Sequence, residues 1–213
     1  MSDAIKHECG VALIRLRKPF SFYQEKYGSA FYGIEKMRLL LQKQRNRGQD
    51  GAGLATIKLD PKPGEKYISR KRSVATNYLD DLFDQVYYHF NKLKDFQQDA
   101  QWLKDNKPYM GELLLGHLRY GTHSDNSIET CHPFLRQNNW ISRNLLLAGN
   151  FNLTNVDELF QELVELGQYP KEKSDTVTVL EKIGHFLDDE VQRLHTWYKP
   201  DGHSNIQINK KLI

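Results

Sequence analysis

Four polar side chains in this 213-residue chain are of types that could carry chemistry. Cys9 stands just before Gly10 and an apolar run, and a cysteine thiolate is a strong nucleophile. Arg119 follows an apolar strand pattern, Asp175 follows Ser174, and Asn150 follows a second apolar strand pattern. Each also has an ordinary explanation: a buried cysteine, a strand-end ion pair, a helix cap and a turn residue. Residue types alone therefore do not separate a site from a plain scaffold.

The composition is that of a soluble globular protein, with 39% hydrophobic and 27% charged residues. A net charge of +3 with scattered Lys and Arg predicts a solvated surface and no nucleic-acid partner. No apolar run approaches the ~18 residues of a membrane span, and residues 1–8 lack the apolar core of a secretory signal, so we expect no membrane association. Two cysteines are too few for a disulfide framework, which favours a cytoplasmic location.

The apolar pattern predicts strands and helices in an irregular order. Strands are expected at 10–16, 54–59, 67–72, 113–120 and 144–148, and helices at 28–44, 78–94, 156–166 and 175–194. Glycines predict a loop over 45–53, and polar residues predict a surface excursion over 95–109 and a loop-like tail from Tyr198. This order suits an α+β layered domain better than a regular βαβ alternation.

Six short segments give the polar residues a common context. They are Cys9-Gly10-Val11, 47–53, 116–123, His132-Pro133-Phe134, 150–155 and Ser174-Asp175-Thr176. In wording and order they resemble the class II glutamine amidotransferase domain, an N-terminal-nucleophile hydrolase, over about residues 9–180. The resemblance implies a four-layer αββα sandwich, in which two antiparallel sheets stack between helical layers.

The resemblance also implies catalytic roles. Cys9 would attack the side-chain amide of glutamine with its own α-amino group as the base, because such a group, with a pKa of about 7.7–8.0, works near neutral pH. The oxyanion would be bound by the side chain of Asn150 and the backbone N–H of Phe151. Arg47 and Gly48 match the loop that packs on the nucleophile and orients it.

Substrate recognition follows from the two charges of glutamine. The resemblance implies that Arg119 binds the α-carboxylate and that Asp175 binds the α-ammonium group. Thr122 and His123 match residues that line the same pocket. Glutamine is then the small-molecule substrate, and the glutaminase reaction calls for no metal ion and no cofactor in this domain.

Two positions depart from the family pattern. Phe151 stands where the family usually has Gly, and Gly149 stands where it usually has His. A backbone N–H survives an exchange of Gly for Phe where the local φ suits a residue with a Cβ, so an oxyanion hole is compatible with this sequence. Cys131 matches no motif position and is expected to be structural.

Within the family, Glu8 before Cys-Gly-Val and the His-Leu-Arg-Tyr stretch at 117–120 are most similar to the glutaminase domain of amidophosphoribosyltransferases, enzymes of purine synthesis. The Thr122-His123 pair is closer to glucosamine-phosphate synthase. The resemblance thus implies a glutaminase domain over 9–213 whose ammonia feeds phosphoribosylamine formation from phosphoribosyl pyrophosphate. A phosphoribosyltransferase domain would then complete a longer protein, and that domain could bind Mg²⁺. The longer protein is expected to form homo-oligomers.

Residues 1–8 are expected to be a leader that is removed between Glu8 and Cys9. While the leader is attached, the nitrogen of Cys9 is a peptide amide and cannot serve as a base. The uncleaved chain is therefore expected to lack glutaminase activity.

Three alternatives stay open at this point. The same glutaminase chemistry can feed another synthase, such as glucosamine-phosphate synthase, asparagine synthetase or glutamate synthase. A related N-terminal-nucleophile hydrolase can act on a different amide, although Arg119 and Asp175 fit a free amino acid. A non-catalytic regulatory module can keep the same fold, which a closed oxyanion hole at Phe151 would favour.

Overall fold

The computed structural model describes residues 8–91, 93, 99–121 and 127–212. These residues form two compact units. The first extends to Pro133 and includes Ala148–Asn150, and the second comprises Phe134–Leu147 and the chain from Phe151 onward. Each unit holds an antiparallel sheet together with helices, which confirms the predicted α+β class and is compatible with the expected αββα layers.

The sheet of the first unit brings three chain segments to one end. Its strands are β1 (Gly10–Arg15), β2 (Gly51–Ile57), β3 (Ile68–Ser73) and β4 (Leu113–Arg119), in the order β1-β4-β2-β3, and all neighbours are antiparallel. Gly10 pairs with Leu118, and Gly51 pairs with Arg119. The starts of β1 and β2 therefore lie beside the end of β4.

The helices of the first unit bury one side of this sheet. They are α1 (Phe20–Tyr27), α2 (Tyr32–Lys43), α3 (Tyr78–Tyr87) and α4 (Ala100–Asn106). Apolar residues at helical spacing on α2 and α3 form one cluster with alternate residues of the strands. Fully buried members include Ile34, Met37, Leu41, Leu54, Leu82, Phe83, Leu114 and Leu118. Burial of this cluster stabilises the position of β4 in the sheet. The polar residue Arg119 then lies where β4 ends, at the edge of the apolar cluster.

Two predicted bounds near the start of the chain were wrong. Gly28 ends α1 in the left-handed conformation, with φ of 75°, so the helix expected from Gly28 begins only at Tyr32. The residues Gly51–Gly53, expected in a loop, are the first residues of β2. Small residues are needed there because a Cβ on Gly53 would collide with the carbonyl of His132.

The surface excursion expected over 95–109 contains helix α4. Asp99 caps this helix by accepting a hydrogen bond from the Trp102 N–H at 2.7 Å, and Ala100 and Leu103 are buried beneath it. Two apolar anchors among polar residues were too few to show helical periodicity in the sequence. Residues 92 and 94–98 lie outside the described residues, and the helix expected over 78–94 ends at Tyr87.

The second unit pairs two short strands with three helices. The elements are β5 (Phe134–Arg136), β6 (Leu145–Leu147), α5 (Val156–Glu165), α6 (Asp175–Tyr198) and α7 (Asn205–Lys211). Arg136 of β5 ties the sheet to α6 through Glu181 at 3.1 Å and Asp188 at 2.6 Å. The loop-like tail was a wrong prediction, because Ser204 and Gln207 form a capping box that starts α7.

Within the described part of the chain, no helix combines the length and the apolar composition that a bilayer crossing requires.

Candidate active site

Cys9 lies directly before β1, at the end of the sheet where β4 finishes. Its side chain is half-buried, and its Sγ accepts a hydrogen bond from the Tyr120 N–H at 3.4 Å. The same Sγ lies 3.9 Å from the Tyr120 carbonyl oxygen. A backbone donor aimed at the sulfur can stabilise negative charge that develops on it. The thiol thus meets the polar end of β4, and Glu8 before it is exposed.

The loop before β2 packs against that same end of β4. Gly48 is buried, and a Cβ at this position would lie 2.6 Å from the carbonyl carbon and oxygen of Leu118, so the close approach requires glycine. The Tyr78 hydroxyl donates to the Gly48 carbonyl at 2.9 Å. Asp50 donates its N–H to the Arg119 carbonyl at 3.0 Å and accepts from the Gly121 N–H at 2.7 Å. The loop is therefore locked to the strand through backbone groups, whereas the Arg47 side chain is exposed.

Arg119 is buried at the last position of β4. Its guanidinium packs under Gly121, where a Cβ would lie 3.3 Å from the guanidinium carbon and both terminal nitrogens. The structure thus places a buried cation within one residue of the backbone N–H that contacts Cys9. Thr122 and His123, expected to line the same pocket, lie outside the described residues.

A pair of histidines adjoins this end of the sheet. His117 of β4 is 1% exposed and His132 is also buried, and the His117 Nε2 lies 3.2 Å from the His132 Nδ1. Burial, with a smaller contribution from His132 and Arg119, lowers the pKa of His117 to about 3. Burial also lowers the pKa of His132 to about 4, to which Arg119 and Arg72 contribute. Both imidazoles are therefore neutral at physiological pH.

The histidine pair contacts the backbone that leads to Asn150. Gly149 donates its N–H to the His132 Nδ1 at 3.4 Å, and its carbonyl oxygen lies 3.2 Å from the His117 Nε2. His117 itself pairs with Val11 of β1, two positions after Cys9. The segment that carries the exposed Asn150 is thus attached to the part of the sheet that holds Cys9.

Phe151 and Asp175 belong to the second unit. Asp175 is the first residue of α6, and its Oδ2 accepts a hydrogen bond from the Leu153 N–H at 2.8 Å. Ser174 is the N-cap and accepts from the Val177 N–H, which leaves the Asp175 carboxylate to hold the loop after Phe151. The carboxylate is half-buried at a helix N-terminus, a position that favours negative charge.

Cys131 is fully buried, as expected for a structural cysteine. Its thiol lies 3.4 Å from the Ala52 carbonyl oxygen, and burial raises its pKa to about 11. A thiol with so high a pKa is protonated at neutral pH and is a poor nucleophile. Of the two cysteines, Cys9 is the one with a partly open environment.

Three residues that the structure brings to this region had no role predicted from the sequence: Tyr78, Asp50 and His117. Asp50 and His117 lie inside two of the six family segments, 47–53 and 116–123. The signal that could have identified Asp50 is a polar residue beside a glycine, and for His117 it is a polar residue within an apolar strand. Tyr78 gave no sequence signal, because its contact with Gly48 spans thirty residues of intervening chain.

The described elements define an α+β protein whose candidate nucleophile, Cys9, lies directly before the first strand. No family model matches the chain. The chain is 27% identical over 194 residues to the amidophosphoribosyltransferase of Bacillus subtilis, which covers 88% of this chain and 32% of that protein. The Archaeoglobus fulgidus protein of the same name is 27% identical over 146 residues, covering 68% of this chain and 26% of that protein. The resemblance inferred from the motifs is thereby confirmed.

The chain spans only part of these relatives. The share is 32% of the Bacillus subtilis protein and 58% of the amidophosphoribosyltransferase of Lacticaseibacillus casei, to which it is 26% identical over 139 residues. The relatives' names describe whole proteins.

Proposed function

We propose that this chain is the glutaminase portion of a glutamine-dependent amidotransferase, with Cys9 as the nucleophile. The observation that carries the proposal is the contact of the Cys9 sulfur with the Tyr120 N–H, at the sheet end that also holds Gly48 and Arg119. The thiolate attacks the glutamine side-chain carbonyl carbon, and ammonia leaves from the tetrahedral intermediate. Water then hydrolyses the γ-glutamyl thioester, which yields glutamate and regenerates Cys9.

The base in this proposal is the α-amino nitrogen of Cys9 after removal of residues 1–8. A free α-amino group has a pKa of about 7.7–8.0, so part of the population can accept the thiol proton at neutral pH. In the uncleaved chain the same nitrogen is a peptide amide without basicity. Cleavage between Glu8 and Cys9 thus creates the catalyst.

The remaining roles follow the two charges of glutamine and the charge of the intermediate. Arg119 binds the α-carboxylate, with Asp175 for the α-ammonium group and Thr122 and His123 as lining residues. The Asn150 side chain and the Phe151 N–H bind the oxyanion, where one donor is typically worth about 3–4 kcal/mol of barrier. Arg47 and Gly48 orient the nucleophile, and this portion uses no metal ion or cofactor.

The ammonia is proposed to feed phosphoribosylamine formation from phosphoribosyl pyrophosphate, because the relatives that match carry the name amidophosphoribosyltransferase. The acceptor chemistry would belong to a synthase domain, where Mg²⁺ can act, in a cytoplasmic homo-oligomer. Neither nucleic acid nor a membrane is a proposed partner.

Three proteins test the glutaminase proposal: the chain with residues 1–8, the chain that begins at Cys9, and the latter with Cys9→Ala. Glutamate release from glutamine is measured, and intact mass defines each N-terminus. We expect activity only in the chain that begins at Cys9, with unchanged circular dichroism in Cys9→Ala. Cys131→Ala is the matched control, since a buried thiol outside the site should leave the specific activity unchanged.

Two results would refute the proposal. An active preparation that retains Glu8 in front of Cys9 would remove the need for the α-amino base. A Cys9→Ala protein as active as its parent would remove the nucleophile. Folded but inactive protein beginning at Cys9 would instead favour the non-catalytic module.

A further inference from the structure

The backbone of Gly149 is held at both of its polar groups. Its N–H donates to the Nδ1 of His132 at 3.4 Å, and its carbonyl oxygen lies 3.2 Å from the Nε2 of His117. Gly149 immediately precedes Asn150, so these two contacts restrict the backbone that carries the Asn150 side chain. Apolar side chains would fill the same space at a lower desolvation cost than two buried imidazoles. The histidine pair therefore has a role beyond packing, and its hydrogen bonds to Gly149 indicate which backbone it holds.

The contacts fix where the protons are. The His132 Nδ1 accepts from an N–H, so its own proton is on Nε2. The His117 Nε2 faces a carbonyl oxygen, which can only accept, so this nitrogen carries the proton and can share it with the His132 Nδ1 at 3.2 Å. The remaining nitrogen of His117, its Nδ1, is buried and has no hydrogen-bond partner in the described part of the chain. Both rings are therefore neutral and each is restricted to one tautomer.

The two histidines are rigid supports. His117 lies in the middle of the sheet, where its backbone pairs with Val11 on one side and Gly53 on the other. The segment that carries His132 is tied down on both sides, because Arg72 donates to the Cys131 carbonyl at 3.0 Å and Arg70 donates to the Pro133 carbonyl at 3.2 Å. These contacts hold both imidazoles in place against the backbone of Gly149.

We propose that His117 and His132 are positioning residues that clamp the backbone of Gly149 and thereby orient the Asn150 amide toward the oxyanion. The inference rests on the proposed function for the role of Asn150, and the clamp itself stands on the hydrogen bonds. The two imidazoles reach the backbone of Gly149 from β4 and from the 131–133 segment.

The clamp predicts a particular kinetic defect. A donor that binds the oxyanion acts on the transition state, so its displacement lowers kcat and leaves the KM for glutamine almost unchanged. A misplacement of about 1 Å can cost on the order of 10²-fold in rate. We therefore expect roughly a 10- to 100-fold loss of kcat when the clamp is broken.

Matched polar substitutions test this in the chain that begins at Cys9. Asparagine places its amide near the position of a histidine Nδ1, and glutamine places it near Nε2. His132→Asn and His117→Gln thus keep the clamping atoms, whereas His132→Gln and His117→Asn move them. We expect the first pair to retain most of the parent's kcat, and the second pair to lose roughly 10- to 100-fold. Leu118→Val, a change at the buried position next to His117 in β4, controls for lost stability.

Hydrogen exchange of the Gly149 amide gives a readout that does not need activity. It should stay protected in the parent, in His132→Asn and in Leu118→Val, and exchange faster in His132→Gln. If His132→Asn and His132→Gln have the same kcat and the same protection of the Gly149 amide, the proposed clamp is refuted. If the parent that begins at Cys9 hydrolyses no glutamine, the proposed function fails, and the exchange result still decides whether the clamp exists.

Discussion

Burial of two neutral histidines makes the free energy of unfolding depend on pH, and His117→Gln should remove a defined part of that dependence. The pKa of His117 is about 3 in the folded chain, against about 6.5 in an unfolded one. Between these values the unfolded chain binds a proton that the folded chain does not. The free energy of unfolding therefore rises with pH across this window, and stability is lost progressively as pH falls below about 6.5.

The magnitude follows from the two pKa values. At pH 5 the unfolded histidine is about 1.5 pH units below its pKa of about 6.5, and each unit is worth about 1.4 kcal/mol. Folded His117, with a pKa of about 3, is still neutral at pH 5, so its contribution is close to the full ~2 kcal/mol relative to pH 7.5. His132, with a pKa of about 4, contributes in the same direction. Groups that do not contact the replaced histidine titrate alike in the parent and in the variant, so they cancel in the difference, whereas in His132→Asn the remaining His117 loses one contribution to its lowered pKa.

The assay is urea unfolding at pH 7.5 and pH 5, with Trp102 as the reporter of the first unit after Trp140 and Trp197 have been replaced by phenylalanine. We expect the parent to lose about 2 kcal/mol more than His117→Gln between the two pH values. His132→Asn should behave like His117→Gln, whereas Leu118→Val should lower stability equally at both. If His117→Gln loses as much stability as the parent on acidification, the neutral buried state assigned to His117 is wrong.

Two further substitutions test the surroundings of the site. Gly48→Ala should reduce glutaminase activity and cost about 1–3 kcal/mol of stability, because its Cβ would lie 2.6 Å from the backbone of Leu118. Gln49→Ala, at the exposed neighbouring position, should change neither. Urea denaturation measures the stability, and glutamate release measures the activity. Asp175→Asn keeps an acceptor for the Leu153 N–H but removes the charge, so we expect a higher KM for glutamine at nearly unchanged stability, and an unchanged KM would contradict the role of Asp175.

The sequence predicted most of the strands and helices that hydrophobic periodicity can indicate. β1 and β4 appear within one residue of their expected bounds, because apolar runs on a sheet face leave little choice of register. β3 also lies within one residue of its expected bounds, although Ile68 is its only apolar residue. The errors fall where tertiary contacts decide. Gly51–Gly53 looked like a loop from composition, yet those glycines are strand residues that allow the His132 segment to pack on β2. Helix α7 depends on a capping box and one buried residue, Ile208, which periodicity over seven residues cannot reveal.

The candidate site was accessible to sequence reasoning only in part. The resemblance pointed to Cys9, Gly48 and Arg119 because each lies in one of the six matching segments. The supports of these residues did not stand out, since a hydroxyl or an imidazole that binds a backbone carbonyl has no fixed sequence spacing to its partner. Tyr78 on Gly48 and His117 on Gly149 are of this kind.

The contacts around Cys9 also indicate what cleavage of the bond between Glu8 and Cys9 would change. Strand pairing begins at Gly10, and the sulfur already accepts from Tyr120 while Glu8 is attached. Removal of residues 1–8 would therefore alter the chemistry of one nitrogen and leave the pairing of β1 with β4 as it is. Since Glu8 is exposed, the bond to be cut lies at the surface. The position of the Cys9 sulfur would thus be set before the proposed cleavage, which would act by creating a base and would require no rearrangement of the sheet.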